Sequence, residues 1–353
     1  MRWTPTALLL ALAAATAHRA EATPGAEAVR AREAAQRILR RLDLQLGPSA
    51  GEPSPGRSGG NPLSRYAALS SADPSRIEST VDYARRTLAG TATARLTPES
   101  TIHFLRESAE EILTGPGSIP TAGASTAAHA ADLRVIAALA RFHARRLEAA
   151  IHYNLFLRGL RIAELVAATY VEKDAVELWR DVLRAVAAAE AAAAGDEERP
   201  LRLKEGWRDE LPRLEASLRD LEEQCCPPDA AVLREKVWRL APREALVAPV
   251  LEPRTPPWGD AGESSRFTVA ARGAHGITSV HLRIRNLPSG GEYRTIPMSA
   301  GPDGTYGANL PAGLTAGAES LEYYFEAIGG NGIGTSFPEP DAAQPTLLLP
   351  LRR

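Results

Sequence analysis

Two histidines and a glutamate on one long helical stretch are the first residues in this chain that could do chemistry. His143, Glu148 and His152 fall within residues 124–158, which read as one uninterrupted helix. A helical zinc hydrolase site needs two histidines four apart on one face, with a glutamate beside the first as base. His143 and His152 are nine apart, and at about 100° per residue they project to opposite sides, so they cannot share one ion. Glu148 and His152 are an (i, i+4) pair and share a narrow polar strip with Arg134, Arg141 and Arg145. This strip is expected to face water, and the contact that Arg141, Glu148 and His152 could make there is with an anion or a sugar acid. His129, near Asp132, falls on an apolar stripe and is expected to be a core histidine.

Other chemistry is poorly supplied. Ser125 in Gly123-Ala124-Ser125-Thr126-Ala127 lacks the second glycine and the preceding strand of a nucleophile elbow. Glycoside hydrolysis needs two carboxylates about 5 Å or about 6.5–9.5 Å apart across the scissile bond. The acidic runs Glu110-Glu111, Asp196-Glu197-Glu198 and Asp209-Glu210 instead read as solvated charge on helices and loops. Gly329-Gly330-Asn331-Gly332 follows a strand but enters a hairpin, which excludes a phosphate loop. The remaining candidate is on strands: His281, Arg283 and Arg285 alternate along one, and Glu322, Tyr324 and Glu326 along another. If the two faces coincide, an exposed Tyr324 flanked by Arg283, Arg285 and Glu326 forms a shallow patch for a glycan or peptide, using ring stacking and bidentate guanidinium contacts. The same alternation would also build a cross-strand charge ladder that keeps an outer face soluble. No catalytic set, cofactor site or metal site is expected.

The elements that must position these residues are legible in the periodicity. The central stretch carries one apolar stripe of Leu133, Ile136, Ala140, Leu147, Ile151 and Leu155, and a second of Val135, Leu139, Phe142, Ala149 and Phe156. A helix apolar on two faces must be covered on two faces, so it is the expected centre of a helical bundle. Before it, residues 26–46 read as a charged, alanine-rich helix, tied on loosely by a Gly/Pro/Ser linker. Asp73-Pro74 and Thr97-Pro98 carry helix-start signals. After the central helix, a break at Gly159 leads to further helices over 160–194, 207–226 and 228–240. Residues 241–257 read as a proline-rich linker. Beyond it the period changes to two, with turns at Pro302-Asp303-Gly304 and Asn331-Gly332, and about seven short strands are expected. The expected fold is an all-α helical bundle followed by a C-terminal immunoglobulin-like or fibronectin-III-like β-sandwich. The domains run 1–22 signal peptide, 23–62 helix and linker, 63–240 bundle, 241–261 linker and 262–353 sandwich.

Composition sets the address. The chain has 353 residues and a formal net charge of −2, so electrostatics give no case for nucleic acid or an anionic membrane surface. Arg2, an apolar run over 7–15 and small-residue patterns at Ala15-Thr16-Ala17 or Ala20-Glu21-Ala22 read as a cleaved secretory signal. That predicts an exported chain, periplasmic or extracellular, with no membrane span after cleavage. Cys225 and Cys226 are adjacent and cannot staple distant segments. They read as two small residues at a helix end, with a vicinal or intermolecular disulfide as the alternatives.

Three stretches resemble a known kind of protein. They are Asp132-Leu133-Arg134 running on to Arg141-Phe142-His143-Ala144-Arg145-Arg146; Gly206-Trp207-Arg208-Asp209-Glu210-Leu211; and Leu321-Glu322-Tyr323-Tyr324-Phe325-Glu326-Ala327 with Asn331-Gly332 and Pro338. Their order resembles the C-terminal part of large exported bacterial proteins related to glycoside hydrolases, in which a helical region precedes an immunoglobulin-like domain. That resemblance implies catalysis from a separate N-terminal domain, carries no catalytic residue onto this chain, and makes it an accessory portion without its enzyme. The functional expectation is an exported, non-catalytic binding or accessory protein, carbohydrate-associated, with a polysaccharide or an envelope protein as partner. The alternatives are a glycan hydrolase with its site in the helical domain, through two of Glu148, Asp209 and Glu210, and a structural envelope protein with protein partners.

Overall fold

The computed structural model describes residues 26–47, 62–114, 124–192, 205–225, 235–254, 259–288 and 291–352. The signal segment, most of the 47–62 linker and Cys226 lie outside them. The chain divides into two compact units. Unit 1 takes the residues up to Pro74, Glu78–Leu88 and Thr97–Leu240; unit 2 takes Ser75–Ile77, Ala89–Leu96 and Ala241–Arg353. No described helix is long and apolar enough to cross a membrane.

Unit 1 is helical: α1 (Ala26–Leu46), α2 (Pro62–Ala67), α3 (Thr80–Ala89), α4 (Pro98–Thr114), α5 (Ala124–Gly159), α6 (Ile162–Ala192) and α7 (Glu205–Cys225). Both stripes of α5 are covered. Leu133, Ile136, Ala140, Leu147, Ile151 and Leu155 share a core with Ile38 and Leu42 of α1 and Ile102 and Leu105 of α4. On the other side Val135, Leu139 and Phe142 pack with Val176, Trp179 and Val182 of α6 and Leu214 of α7. Ala149 joins Leu63 of α2, Leu165 and Val166 of α6, and Leu221 and Cys225 of α7. Each fully buried leucine or isoleucine in these stripes contributes about 1.5–3 kcal/mol, which makes α5 the axis of the unit.

Several local expectations need correction. Helix α1 is not loosely attached: Ile38, Leu42 and Leu46 are buried, the side-chain amide of Gln45 donates to the Glu78 carbonyl (2.9 Å), and its carbonyl accepts from Thr101 (2.9 Å). Asp73-Pro74 does not open a helix. Helix α3 starts at Thr80, where the Ser79 hydroxyl accepts from the Asp82 amide at 3.1 Å. The second start signal holds, since Thr97 Oγ1 accepts from the Ser100 amide at 3.2 Å ahead of α4. Of the expected helix over 228–240, the described residues 235–240 are not helical. There the Glu164 carboxylate accepts the Trp238 amide at 2.8 Å and the Trp238 indole donates to the Tyr83 hydroxyl at 3.1 Å, bonds that tie this non-helical segment to α6 and α3.

Unit 2 carries two sheets. One has the order β1 (Val250–Pro253), β3 (Ser265–Arg272), β7 (Thr305–Leu310), β6 (Ser299–Ala300). The other has β2 (Gly259–Asp260), β10 (Leu347–Arg352), β8 (Ser320–Gly329), β4 (Ile277–Leu287), β5 (Arg294–Pro297), with β9 (Gly334–Phe337) also paired to β8. A short helix, α8 (Ala312–Thr315), precedes β8. One core draws on both sheets, with Phe267 and Val269 from the first and Val280, Leu282, Leu321, Tyr323 and Phe325 from the second. The alternation read from the sequence thus points the expected side chains inward. The expected linker over 241–257 is an error in part, because its Val250–Pro253 pairs antiparallel with β3.

Candidate functional site

The polar strip of α5 is real, but its members have different fates. Arg134 and Arg141 are exposed, Arg145 and Glu148 are half-buried, and His152 is buried. His152 is therefore no surface ligand, against expectation. Its Nδ1 is 2.7 Å from Glu164 Oε2, and its ring stands edge-on to Trp238 at 5.1 Å. Trp238 arrives from far along the chain, so the α5 periodicity alone could not reveal this cover. Burial, and after it the Glu99 carboxylate, push the neighbouring Tyr83 phenol far above its ordinary pKa.

The rest of the strip forms a network that joins three helices. Glu148 Oε2 accepts from Arg106 Nη2 of α4 at 2.5 Å and from Arg145 Nη1 at 2.7 Å. Arg145 Nε donates to Asp174 Oδ2 of α6 at 3.2 Å, and Arg145 Nη2 donates to the same oxygen. Burial disfavours the Arg145 charge, but Asp174 and then Glu148 more than offset it, raising the guanidinium pKa. One helical turn before Asp174 stands Tyr170, 64% exposed; residues four apart on a helix are surface neighbours. An exposed ring beside a fixed guanidinium–carboxylate network, with exposed Arg141 one turn before Arg145, can stack on a sugar face and pair with a carboxylate or sulfate. Sequence reasoning named Arg141 and Glu148 on this strip and did not name Tyr170, Asp174 or Arg106, which the structure brings beside them. Tyr170 is exposed while its chain neighbours Thr169 and Val171 are buried, and a lone tyrosine carries no periodic signal of that exposure.

A second cluster lies inside the helical unit. Arg146 and Glu172 are buried, with 3.3 Å between Nη2 and Oε1, and the Arg146 guanidinium lies over the Tyr66 ring at 4.9 Å. The Tyr66 hydroxyl is 3.1 Å from His143 Nδ1. Desolvation, reinforced by Arg146, pushes His143 down to about 3, whereas burial raises the Glu172 carboxyl despite the opposing charge of Arg146. In this cluster Arg146 and Glu172 are buried, while Tyr66 and His143 are half-buried. Of the carboxylates proposed for hydrolysis, Glu148 is engaged by two arginines and Glu210 lies 3.6 Å from Arg213.

On unit 2 the two strand faces do coincide: His281 pairs with Glu326, Arg283 with Tyr324 and Arg285 with Glu322. The charges bond across the strands, Arg283 Nε lying 2.7 Å from the diagonal Glu326 and Arg285 Nε 2.6 Å from the directly opposite Glu322. Tyr324, however, is not exposed; it is wholly buried, and Glu326 is 3% exposed. The cover is Arg76, from one of the short segments that belong to this unit. Its guanidinium lies 4.2 Å from the Tyr324 ring centroid, while its N–H groups donate to Ser336 Oγ (3.1 Å), Pro338 O (2.5 Å) and Pro345 O (2.6 Å). A separation of 260 residues between Arg76 and Ser336 hid this from any local pattern.

The chain matches no protein-family model and no curated protein sequence. Among solved structures it is similar to a GH138 enzyme targeting pectin rhamnogalacturonan II, at 14% identity and a TM-score of 0.40, over 56% of this chain and 31% of that one. The chain therefore spans about a third of that neighbour.

Proposed function

We propose that the chain is an exported, non-catalytic binding module, a helical bundle followed by an immunoglobulin-like sandwich, that attaches to an acidic polysaccharide through the α5–α6 face. The observation that carries this reading is Tyr170, 64% exposed, one turn from an Asp174 carboxylate already fixed by Arg145. Tyr170 supplies a stacking platform, Arg141 an exposed cation, and the Glu148–Arg145–Asp174 network a rigid polar floor that pays little ordering entropy on binding. Glu148 accepts from two arginines at once, an arrangement suited to holding cations in place and poorly suited to taking a substrate proton. Export rests on the N-terminal signal pattern. The test is depletion of the purified chain by alginate or polygalacturonate beads compared with cellulose: Tyr170→Ala should weaken retention about three- to tenfold on the acidic beads, and equal retention of both proteins would sink the reading.

A structural role with a protein partner has an observation of its own. Leu157, Leu160 and Ile162, at the α5–α6 turn, are 49%, 77% and 43% exposed. Replacing all three with serine would leave polysaccharide retention intact and abolish self-association in analytical ultracentrifugation if this patch serves that role.

A further inference from the structure

The surroundings of Arg76 have the form of a receptor for one chemical group. Four groups of unit 2 meet its guanidinium: an aromatic face below the plane at 4.2 Å, and three oxygens accepting its N–H groups, from Ser336, Pro338 and Pro345. A guanidinium suits such a cage because it is flat and delocalised, can lie on a ring, and can still donate from its edges in several directions. An ammonium is a compact, strongly hydrated point that cannot cover the ring and reach all three oxygens together. Tyr324 is itself stacked edge-on by Tyr293 at 5.0 Å, and Arg285 lies over Tyr293 at 4.5 Å, so the floor of the cage is held from its far side.

The segments that accompany Arg76 have a second seat. The Leu96 amide donates to the Arg76 carbonyl at 2.8 Å, so residues 89–96 are tied to the arginine segment. Thr93 bridges to Ile333 in parallel, and its amide donates to the Gly332 carbonyl at 3.4 Å. At Gly334 a Cβ would stand 2.3 Å from Ala94 Cα and 2.7 Å from the Thr93 carbonyl oxygen. Only glycine admits so close an approach of backbone to β9. The cage and this glycine floor together hold the turn that carries Arg76 and the loop tied to it.

We propose that this cage is a guanidinium-selective binding site on unit 2 and that Arg76 is its resident ligand, fastening residues 75–77 and 89–96 onto the sheet. The ligand chemistry it accepts is an arginyl side chain presented from a turn, as Arg76 is, and a lysyl one is refused.

Hydrogen–deuterium exchange on the full chain tests this. Arg76→Ala should raise exchange across 89–96 at least about tenfold, and Arg76→Lys should behave like the alanine variant. Millimolar methylguanidinium should restore protection in Arg76→Ala, methylammonium should not, and Tyr324→Leu should remove the rescue. Unchanged exchange in Arg76→Ala, full protection in Arg76→Lys, or equal rescue by both cations would overturn the proposal. Should Arg76→Ala fail to fold, Ser336→Ala removes one acceptor only. It should loosen 89–96 with the melting temperature nearly unchanged, and wild-type exchange there would count equally against the cage.

Discussion

Arg145 illustrates how a single side chain decides what its neighbours can do. It bonds Glu148 and Asp174 at once and so ties α5 to α6, one helical turn from the exposed Tyr170. Arg141→Ala should weaken binding to acidic beads more at low salt than at high salt, because an exposed charge contributes through screened attraction; retention against sodium chloride concentration reads this out. His143 makes a different, internal prediction. Its native pKa lies near 3, well below the ordinary histidine value of 6.5. The unfolded chain therefore binds a proton below about pH 6.5 that the native chain refuses until about pH 3, and this residue lowers stability as pH falls through that window. His143→Gln, which keeps an acceptor for Tyr66, should flatten the pH dependence of the urea midpoint between those limits. At this scale the sequence named residues better than it placed them. Arg141 and Glu148 were legible because they follow a helical period, whereas His152 and Tyr324 were misread because Trp238 and Arg76, which cover them, come from elsewhere in the chain.

Helix α5 was the most legible element, since two apolar stripes on one helix admit no arrangement other than cover on both sides. Strand alternation was equally decisive for β4 and β8. What escaped were short pieces held by tertiary bonds, such as β1 and the non-helical residues 235–240. Glu164 holds the latter, accepting from the Trp238 amide while lying 2.7 Å from His152. Glu164→Ala leaves a buried imidazole and an amide without their partner, and it should cost about 3–5 kcal/mol in chemical denaturation. Where α5 meets α6, Leu160 adopts φ 51° with 77% of its surface exposed. A left-handed leucine costs about 1 kcal/mol and exposed atoms recover little of it, so Leu160→Gly should stabilise the helical unit by up to about 1 kcal/mol. A loss of stability on that change would mean that Leu160 packs against something.

At the scale of the whole chain, the sequence separates into two units whose membership is not collinear, because Ser75–Ile77 and Ala89–Leu96 belong with the residues after Ala241. A change of period near residue 260 marks the sheets clearly, but no local pattern announces that two short loops from the helical half of the sequence belong with them. The central claim is that the chain holds an acidic polysaccharide without cleaving it. The most direct measurement follows depletion of the chain from solution by polygalacturonate beads and release of reducing sugar in the same tubes, for wild type and for a Tyr170→Ala/Arg141→Ala double variant. Depletion of wild type without sugar release, reduced at least about tenfold in the double variant, is the predicted result. Sugar release above a bead-only control, or undiminished depletion of the double variant, would contradict it.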